Sequence, residues 1–412
     1  MLKKTKVAFI IAKYHPAKLD GSEATIVDIV NALPKEKFEC HIITSNGLNS
    51  RWWYDPIFGK SIKAGKEKQK KLTIYRLKSR HVFSFLNLLV ARFGERLLPQ
   101  KVYSKHLLYH SGPAFKGLQE VFEKERYDVV CPTPFPLYLN LQTLETIRNL
   151  RYKPKIVLRP CFHEFVKEYH NPHFVDLLNS ADTIHVFTKA EKDALIRIFS
   201  VNAKKIAITP VGLVTKKDNH MFLTDKIKIF KKNHDLSNCK VILFAGSKIH
   251  KKGALTLLKS VALLYKKDRS YRLVAIGNSS KEWKEWKKTH KRDFLVDLNY
   301  VTKTEKDTAF SAADIVCLPS VCESFGVVYL EAWQHKKPVI GADIPVVREI
   351  ISGAKGGEVV KFGSSSQLAI VIQKLAKNKA AAKQLGENGF RALQKNYTMK
   401  AVLPKLIKLY TV

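Results

Sequence analysis

Short apolar runs rich in β-branched residues recur along the chain, and this recurrence constrains its fold more than any other feature. Turn residues bound the runs, and longer amphipathic stretches separate them. Such alternation is typical of parallel strands joined by crossover helices, so it predicts an α/β fold with doubly wound sheets. In the first half of the chain the predicted strands are residues 7–12, 41–44, 129–131, 156–158, 183–187 and 206–209.

The second half of the chain repeats the same pattern. A polar, lysine-rich stretch at 216–240 lacks a strand signal and indicates a linker. At 412 residues the chain accommodates two domains of ordinary size. We therefore expect one Rossmann-like domain over 1–215 and a second over 216–395. The strands predicted for the second are 241–246, 272–277, 314–318, 338–341 and 357–360.

Targeting signals are weak. The basic start is followed by an apolar run, 7–12, that is shorter than the hydrophobic region of an export signal. The next apolar stretch, 82–91, is far below the roughly 20 residues of a spanning helix. The six cysteines are scattered without a Cys-x2-Cys pair, which argues against a zinc site and favours a reducing compartment. The expected location is cytoplasmic.

The charge balance is strongly basic, with 72 Lys and Arg against 36 Asp and Glu, a formal net charge of +36. Such a field attracts polyanions, among them nucleic acid, anionic lipid headgroups and phosphorylated substrates. A lysine-rich solvated surface is the plainer interpretation. Because no helix-turn-helix, zinc or RNA-binding signature accompanies the charge, we expect no specific nucleic-acid partner.

Residues 51–124 are harder to interpret. Arg51-Trp-Trp-Tyr54, the basic run 60–71 and the mixed stretch 81–108 combine aromatic, apolar and cationic residues. This composition suits an interfacial helix on an anionic membrane, which would make the protein peripheral on the inner membrane face. It equally suits a packed helix and a solvated basic loop, and both interpretations stay open.

The chemistry-bearing pattern is densest at 319–332, directly after the apolar run 314–318. A strand, a tight turn at Gly326 and a helix would direct free backbone N–H groups and the positive helix end at a phosphate. Glu323 precedes that helix, and Glu331 lies eight positions on, roughly 10 Å along a helix axis. One carboxylate could then face a sugar while the other accepts hydrogen bonds from ribose hydroxyls.

Two glutamates at this spacing, with Ser324, Phe325 and Gly326 after the first, resemble the signature of retaining glycosyltransferase family 4, the group 1 glycosyl transferases. The resemblance implies a GT-B fold, with two Rossmann-like domains facing each other across a cleft. The first would be the acceptor side, completed by a C-terminal helix at 396–412. The second would bind a nucleotide-diphosphate sugar, which is transferred with retention to a carbohydrate or lipid-linked acceptor.

The stretch 244–253 resembles the family's Gly-Arg-x4-Lys-Gly loop, in which arginine and lysine clamp the donor diphosphate. Gly246, Lys252 and Gly253 match, but Ser247 stands where arginine is expected. Lys248 is the candidate replacement, as a point charge without the arginine fork. Lys252, with the N–H groups of Phe325, Gly326 and Val327, would stabilise the leaving diphosphate.

Further matches are looser. Tyr300 and Val301 lie in a stretch that resembles the family's base-contacting loop. Asp20-Gly-Ser-Glu23 resembles its Gly-Gly-x-Glu loop, of which Gly21 carries over, although a turn with a helix cap would also explain it. His163 follows a predicted strand and resembles the histidine near the reacting sugar.

The sequence contains no Asp-x-Asp, so we expect no metal and no cofactor besides the nucleotide sugar as co-substrate. Departures at Ser247, Asp20 and Val211, the last replacing an asparagine of the family pattern, favour an alternative. In that alternative the chain is a non-catalytic GT-B protein that binds a sugar nucleotide or supports a partner enzyme. The acceptor is not encoded in a motif, but the basic surface suggests surface polysaccharide or glycolipid synthesis.

Overall fold

The computed structural model describes residues 3–53, 55, 57–69, 72–80, 97–99, 102–104, 108, 111–215, 220–290 and 293–412. The chain divides into two compact units. The first comprises Met1–Gly212 with Val402–Val412, and the second comprises Leu213–Ala401. The chain therefore leaves the first unit once and returns to it at its end.

The first unit is built on an eight-stranded sheet in the order β3-β4-β2-β1-β5-β6-β7-β8. All described neighbours are parallel except β3 and β4. The strands are β1 Thr5–Ile10, β2 Phe38–Ser45, β3 Gly65–Gln69, β4 Leu72–Leu77, β5 Val129–Pro132, β6 Lys155–Leu158, β7 Thr183–Val186 and β8 Ile206–Ile208.

Helices cover this sheet and bury its apolar residues on both faces. They are α1 Gly21–Ala32, α2 Leu118–Glu125, α3 Tyr138–Arg148, α4 Phe174–Ser180 and α5 Lys189–Phe199. The central strand β1 is the clearest case, since Val7 to Ile10 are all fully buried. A strand buried on both faces gives a continuous apolar run, which is why the sequence predicted it.

The second unit is built on a six-stranded parallel sheet in the order β11-β10-β9-β12-β13-β14. The strands are β9 Lys240–Ala245, β10 Tyr271–Ile276, β11 Leu295–Leu298, β12 Ile315–Leu318, β13 Val339–Ala342 and β14 Gly357–Val360. Counted from β9 this is the Rossmann order 3-2-1-4-5-6. The predicted pair of Rossmann-like α/β domains is confirmed.

The helices of the second unit are α6 His220–Asn233, α7 Ala254–Lys267, α8 Lys281–Thr289, α9 Lys303–Ala312, α10 Val327–Gln334, α11 Pro345–Ala354, α12 Ser365–Lys377 and α13 Lys379–Ala392. The last helix, α14 Met399–Tyr410, begins in the second unit and ends in the first. There the fully buried ring of Tyr410 lies 5.2 Å from that of Phe9. Lys155 Nζ also donates to the carbonyl of Thr411 at 2.7 Å, which fixes the chain end on the first unit.

Two sequence predictions need correction, and the structure places Trp52 and Trp53, for which the sequence leaves two interpretations open. The stretch 216–240 is more than a linker, because α6 forms within it and packs against α9. The basic run 60–71 includes a strand, β3, whose side chains are mostly exposed and therefore show no apolar pattern. Trp52 and Trp53 lie in a short 3-10 helix, and their indole nitrogens donate within the first unit to Asn46 and Ser45.

The predicted interfacial helix within 81–108 falls almost entirely outside the described residues. Among the described helices, none combines the length and the apolar character needed to cross a membrane.

Two glycines of α13 allow that helix to pack closely on α10. A Cβ at Gly386 would lie 1.9 Å from the carbonyl oxygen of Lys336, and one at Gly389 would lie 2.1 Å from Cδ1 of Trp333. Trp333 is fully buried and donates from Nε1 to the carbonyl of Gly356 at 3.0 Å. The glycines at 385–389 therefore serve helix packing, and through it the placement of α10.

We expect Gly389→Ala to destabilise the protein by about 2 kcal/mol, because the added methyl group overpacks the contact with Trp333. Thermal unfolding followed by circular dichroism measures the effect. The control is Gly353→Ala in α11, where a Cβ meets no atom of the described residues within 4 Å and helix propensity favours alanine. Equal melting temperatures for the two variants would contradict this account of the close packing.

Candidate functional site

The second sheet has a topological switch point between β9 and β12. From β9 the order continues through β10 to β11, whereas from β12 it continues through β13 to β14. The loops that leave the carboxyl ends of two such strands diverge and leave a crevice, which is the usual ligand site of an open α/β sheet. The predicted residues Lys252 and Glu323 lie on these two loops.

Lys252 and Glu323 form an ion pair at this crevice. The Nζ atom of Lys252 donates to Glu323 Oε1 at 2.6 Å and to the carbonyl of Cys322 at 2.6 Å. Glu323 is buried, and Lys252 keeps about a quarter of its side-chain surface exposed. Burial favours the neutral amine, but the adjacent Glu323 carboxylate outweighs it and raises the pKa of Lys252. The ammonium therefore stays charged at neutral pH.

The two loops are also joined through their backbones. Val321 N donates to the carbonyl of Lys251 at 3.0 Å, and the Ser320 hydroxyl donates to the same carbonyl at 3.3 Å. Gly253 adopts φ +71°, and a Cβ there would lie 2.2 Å from the carbonyl oxygen of Pro319. Only glycine allows this approach, so the position of Lys252 is fixed by the chain around it.

Gly326 ends the second loop and begins α10. Its φ of +91° lies in the left-handed region, and a Cβ would lie 2.4 Å from the ring of Tyr329. That ring is buried, and its hydroxyl donates to the carbonyl of Leu318 at 2.9 Å, at the end of β12. The turn thus aims the first N–H groups of α10, including that of Val327, out of the carboxyl edge of the sheet.

Glu331 lies one turn into α10 and is engaged by a residue that sequence reasoning missed. Lys306, on α9, donates to both carboxylate oxygens of Glu331, at 2.6 and 2.9 Å. A lysine inside a polar helix carries no signal that could have marked it. Just before α9 lie the predicted base-contacting residues, of which Tyr300 is exposed and Val301 is half-buried.

Comparison with known proteins agrees with this geometry. The family described as "Glycosyl transferases group 1" matches residues 225–392, which include both loops of the crevice. Residues 225–392 belong to the group 1 glycosyl transferases. The predicted resemblance is thereby confirmed at the level of this family.

Curated relatives carry related names. The chain is 21% identical over 245 residues to an uncharacterized glycosyltransferase of Methanocaldococcus jannaschii. The matched segment covers 58% of this chain and 63% of the relative. It is 25% identical over 173 residues to a phosphatidyl-myo-inositol mannosyltransferase of Mycobacterium leprae, covering 42% and 46%. The matched part thus spans about half to two thirds of these relatives.

Solved structures extend the likeness over the whole chain. Sucrose-phosphate synthase from Thermosynechococcus elongatus superposes with a TM-score of 0.73 at 16% identity, covering 99% of this chain and 98% of that one. HepE from Anabaena, in complex with UDP-glucose, gives 0.71 at 14% identity, covering 98% of both. At these identities the likeness concerns the fold, and the predicted GT-B fold is confirmed.

In the loop after β9, the position of the Lys248 side chain does not fit the predicted contact with a phosphate. Gly246 and the exposed Ser247 follow β9, but the side chain of Lys248 is fully buried. Its Nζ donates to Asp297 Oδ1 at 2.5 Å and to the carbonyl of Leu298 at 2.8 Å. An ammonium held in this way cannot touch a phosphate from solvent, so the expected replacement of the arginine by Lys248 is not supported.

Two further predicted residues, Gly21 and His163, belong to the first unit. Gly21 is the first residue of α1, and a Cβ there would meet no described atom within 4 Å. The buried Glu23 accepts from the backbone N–H groups of Lys13 and Asp20, which closes the loop before α1. His163 lies five residues beyond β6, half-buried, with its ring 4.7 Å from that of Tyr169. Phe325 and Ser324 lie in the second unit, in the loop of Glu323.

A group of possible metal ligands lies in the first unit, at the amino-terminal ends of β1 and β2. The ligand atoms of Glu39, His41 and Glu125 lie within 4.8 Å of one another. Glu125 already accepts from Lys6 at 2.5 Å and from Lys66 at 3.0 Å, so ammonium groups occupy the carboxylate. Burial lowers the pKa of His41, which keeps its imidazole neutral. Metal independence stays a prediction.

We expect Lys248→Met to lower stability by about 1–2 kcal/mol, because Asp297 loses a charged donor. Binding of UDP, measured by calorimetry, should stay within about twofold of wild type if the side chain is structural, a change of under half a kcal/mol. Lys252→Met is the comparison, and it should weaken binding. A loss of UDP affinity in Lys248→Met at least as large as in Lys252→Met would restore Lys248 to the phosphate site.

Proposed function

We propose that this chain is a glycosyltransferase that moves a sugar, with retention, from a nucleotide-diphosphate donor to a carbohydrate or lipid-linked acceptor. The observation that carries the proposal is the Lys252–Glu323 ion pair at the switch point, beside the start of α10. A cation and the N–H groups at the start of α10 converge there, as recognition of a diphosphate requires. The Anabaena HepE structures in complex with UDP and with UDP-glucose support this ligand class.

In the proposed reaction the bond between the sugar and the diphosphate breaks, and negative charge develops on the departing diphosphate. Lys252 and the N–H groups of Phe325, Gly326 and Val327 stabilise this charge, so that cations of the protein take the role that a metal has elsewhere. Glu323 orients the sugar. The acceptor hydroxyl attacks from the face that the diphosphate leaves, and the diphosphate takes its proton.

Two residues complete the proposed donor site. Glu331 accepts hydrogen bonds from the ribose hydroxyls of the nucleotide. On the family resemblance alone, we propose that the His163 side chain donates to a hydroxyl of the reacting sugar. No cofactor other than the nucleotide sugar takes part.

We further propose a cytoplasmic protein that docks on the inner membrane face and acts in glycolipid or surface polysaccharide synthesis. The net charge of +36 favours anionic lipid. Ile57 and Phe58 are 82% and 66% exposed, and the Arg51 guanidinium lies 4.7 Å from the Phe58 ring centre. Exposed apolar side chains among cations suit a headgroup region. A processive diacylglycerol alpha-glucosyltransferase of Acholeplasma laidlawii, 22% identical over 287 residues, is a relative whose name fits.

The donor is tested by screening nucleotide sugars for thermal stabilisation, since a ligand that binds the folded state raises its stability. We expect at least one UDP-, GDP- or ADP-sugar to stabilise the protein and to be hydrolysed slowly.

Lys252→Ala and Glu331→Gln should each lower turnover or raise the donor KM at least about tenfold, because each loses a charged contact. Lys259→Ala, an exposed lysine on α7, is the control. Unchanged kinetics in both site variants would reject this pocket.

Membrane docking is tested by flotation with vesicles that contain 30% anionic lipid, a composition chosen to be on the order of that of an anionic leaflet. Wild type should float at physiological salt, and Phe58→Ser should float less because it loses apolar contact with the headgroup region. Ile370→Ser, which changes an equally exposed apolar residue of α12, should behave as wild type. Flotation that is absent, or equal for all three proteins, would argue for a soluble acceptor or a different docking surface.

A non-catalytic sugar-nucleotide-binding protein is the second candidate. It is favoured by Ser247, which is exposed where the family pattern has arginine, while the neighbouring Lys248 is engaged by Asp297. Such a protein would bind donors without hydrolysing or transferring them. Stabilisation by a nucleotide sugar, with no turnover across the panel and with added acceptors, would favour it.

A further inference from the structure

Lys306 and Glu331 form an ion pair in which one ammonium contacts both oxygens of the carboxylate. One ammonium lies within hydrogen-bond distance of both carboxylate oxygens, at 2.6 and 2.9 Å. Both side chains are only partly exposed, 35% for Lys306 and 27% for Glu331. The carboxylate is thus held at two points and is still reachable from solvent.

A held carboxylate of this kind can accept more hydrogen bonds. Two carboxylate oxygens offer about four acceptor positions, and Lys306 uses one on each. One position on each oxygen remains for a ligand that carries two adjacent hydroxyl donors. The vicinal 2′ and 3′ hydroxyls of a ribose are such a pair.

Lys306 is itself well placed to hold the carboxylate. It lies in the first turn of α9, which begins with a reciprocal cap between Thr302 and Glu305. Thr302 N donates to Glu305 Oε2 at 2.7 Å, and Glu305 N donates to the Thr302 hydroxyl at 3.2 Å. The Nζ atom of Lys306 also lies 5.8 Å from the ring centre of Phe310. A capped helix start and a ring contact restrict where the ammonium can move.

We propose that Lys306 is a positioning residue that holds Glu331 as a two-oxygen acceptor for the ribose diol of the donor nucleotide, and so sets selectivity for ribose over deoxyribose. The inference rests on the proposed function, which places the nucleoside of the donor at Glu331. Fixing the acceptor before binding reduces the ordering cost of the complex. Selectivity arises because a nucleotide that lacks a hydroxyl leaves one acceptor position of the partly buried carboxylate without a donor.

The test measures dissociation constants by calorimetry for UDP, GDP and ADP and for the 2′-deoxy and 3′-deoxy form of each. For a nucleotide that binds wild type, we expect the deoxy forms to bind roughly tenfold or more weakly. In Lys306→Met the dissociation constant of the ribonucleotide should rise by about the same factor, and those of the deoxy forms should change little. The ratio of the deoxy to the ribo dissociation constant should therefore fall toward one. Lys306→Arg, which keeps a donor, should retain most of the ratio.

Lys303→Met, at the exposed first position of α9, is the matched control and should keep the wild-type ratio. Circular dichroism and melting temperature show whether each variant is folded. A wild type without ribose selectivity, or an unchanged or larger ratio in Lys306→Met, overturns the inference and leaves the proposed function standing. If none of the nine nucleotides binds wild type, the proposed function falls, and this inference falls with it.

Discussion

The Lys252–Glu323 ion pair is the interaction on which the second unit depends. It joins the loops that leave β9 and β12, the two strands at which the order of the sheet reverses. The surrounding backbone supports it: glycines at 253 and 326 adopt left-handed conformations that bring the loops together and start α10 at the crevice. An ion pair with one buried partner is costly to separate, so it fixes the spacing of the loops as well as the charge between them.

Much of the fold and part of the site could be predicted from the sequence, and the difference follows from burial. Central strands such as β1, β9 and β12 are covered on both faces and therefore show continuous apolar runs. Among the described strands, three were missed. β3 and β11 lie at the sheet edges and have exposed or half-exposed side chains. β4 is largely buried, but Thr73 and Arg76 interrupt its apolar run. The helix α6 was interpreted as a linker because its composition is lysine-rich.

Within the candidate site, the positions of residues on the strand-end loops were predictable, and contacts between residues far apart in sequence were not. Lys252 and Glu323 each follow a recognisable strand, so their meeting at one sheet edge follows from topology. Whether Lys248 faces solvent is decided by Asp297, which lies on another strand 49 positions later. Lys306 meets Glu331 only because the fold brings the first turn of α9 within reach of a side chain on α10. Such pairings are created by tertiary packing and leave no local pattern.

The close packing of Trp333 has a consequence for the geometry of the crevice. Glu331 and Trp333 are two residues apart on α10, so they project in directions about 200° apart around the helix axis. Trp333 is clamped between Gly356 and Gly389 on the buried side of the helix. The packing of Trp333 thereby fixes the rotation of α10 about its own axis. A displacement of about 1 Å at the indole would turn the helix by roughly 10° and carry the Glu331 carboxylate about as far in the opposite direction. The shape of the crevice therefore depends on the packing of Trp333, Gly356 and Gly389, which lie on the buried side of α10, away from the ligand.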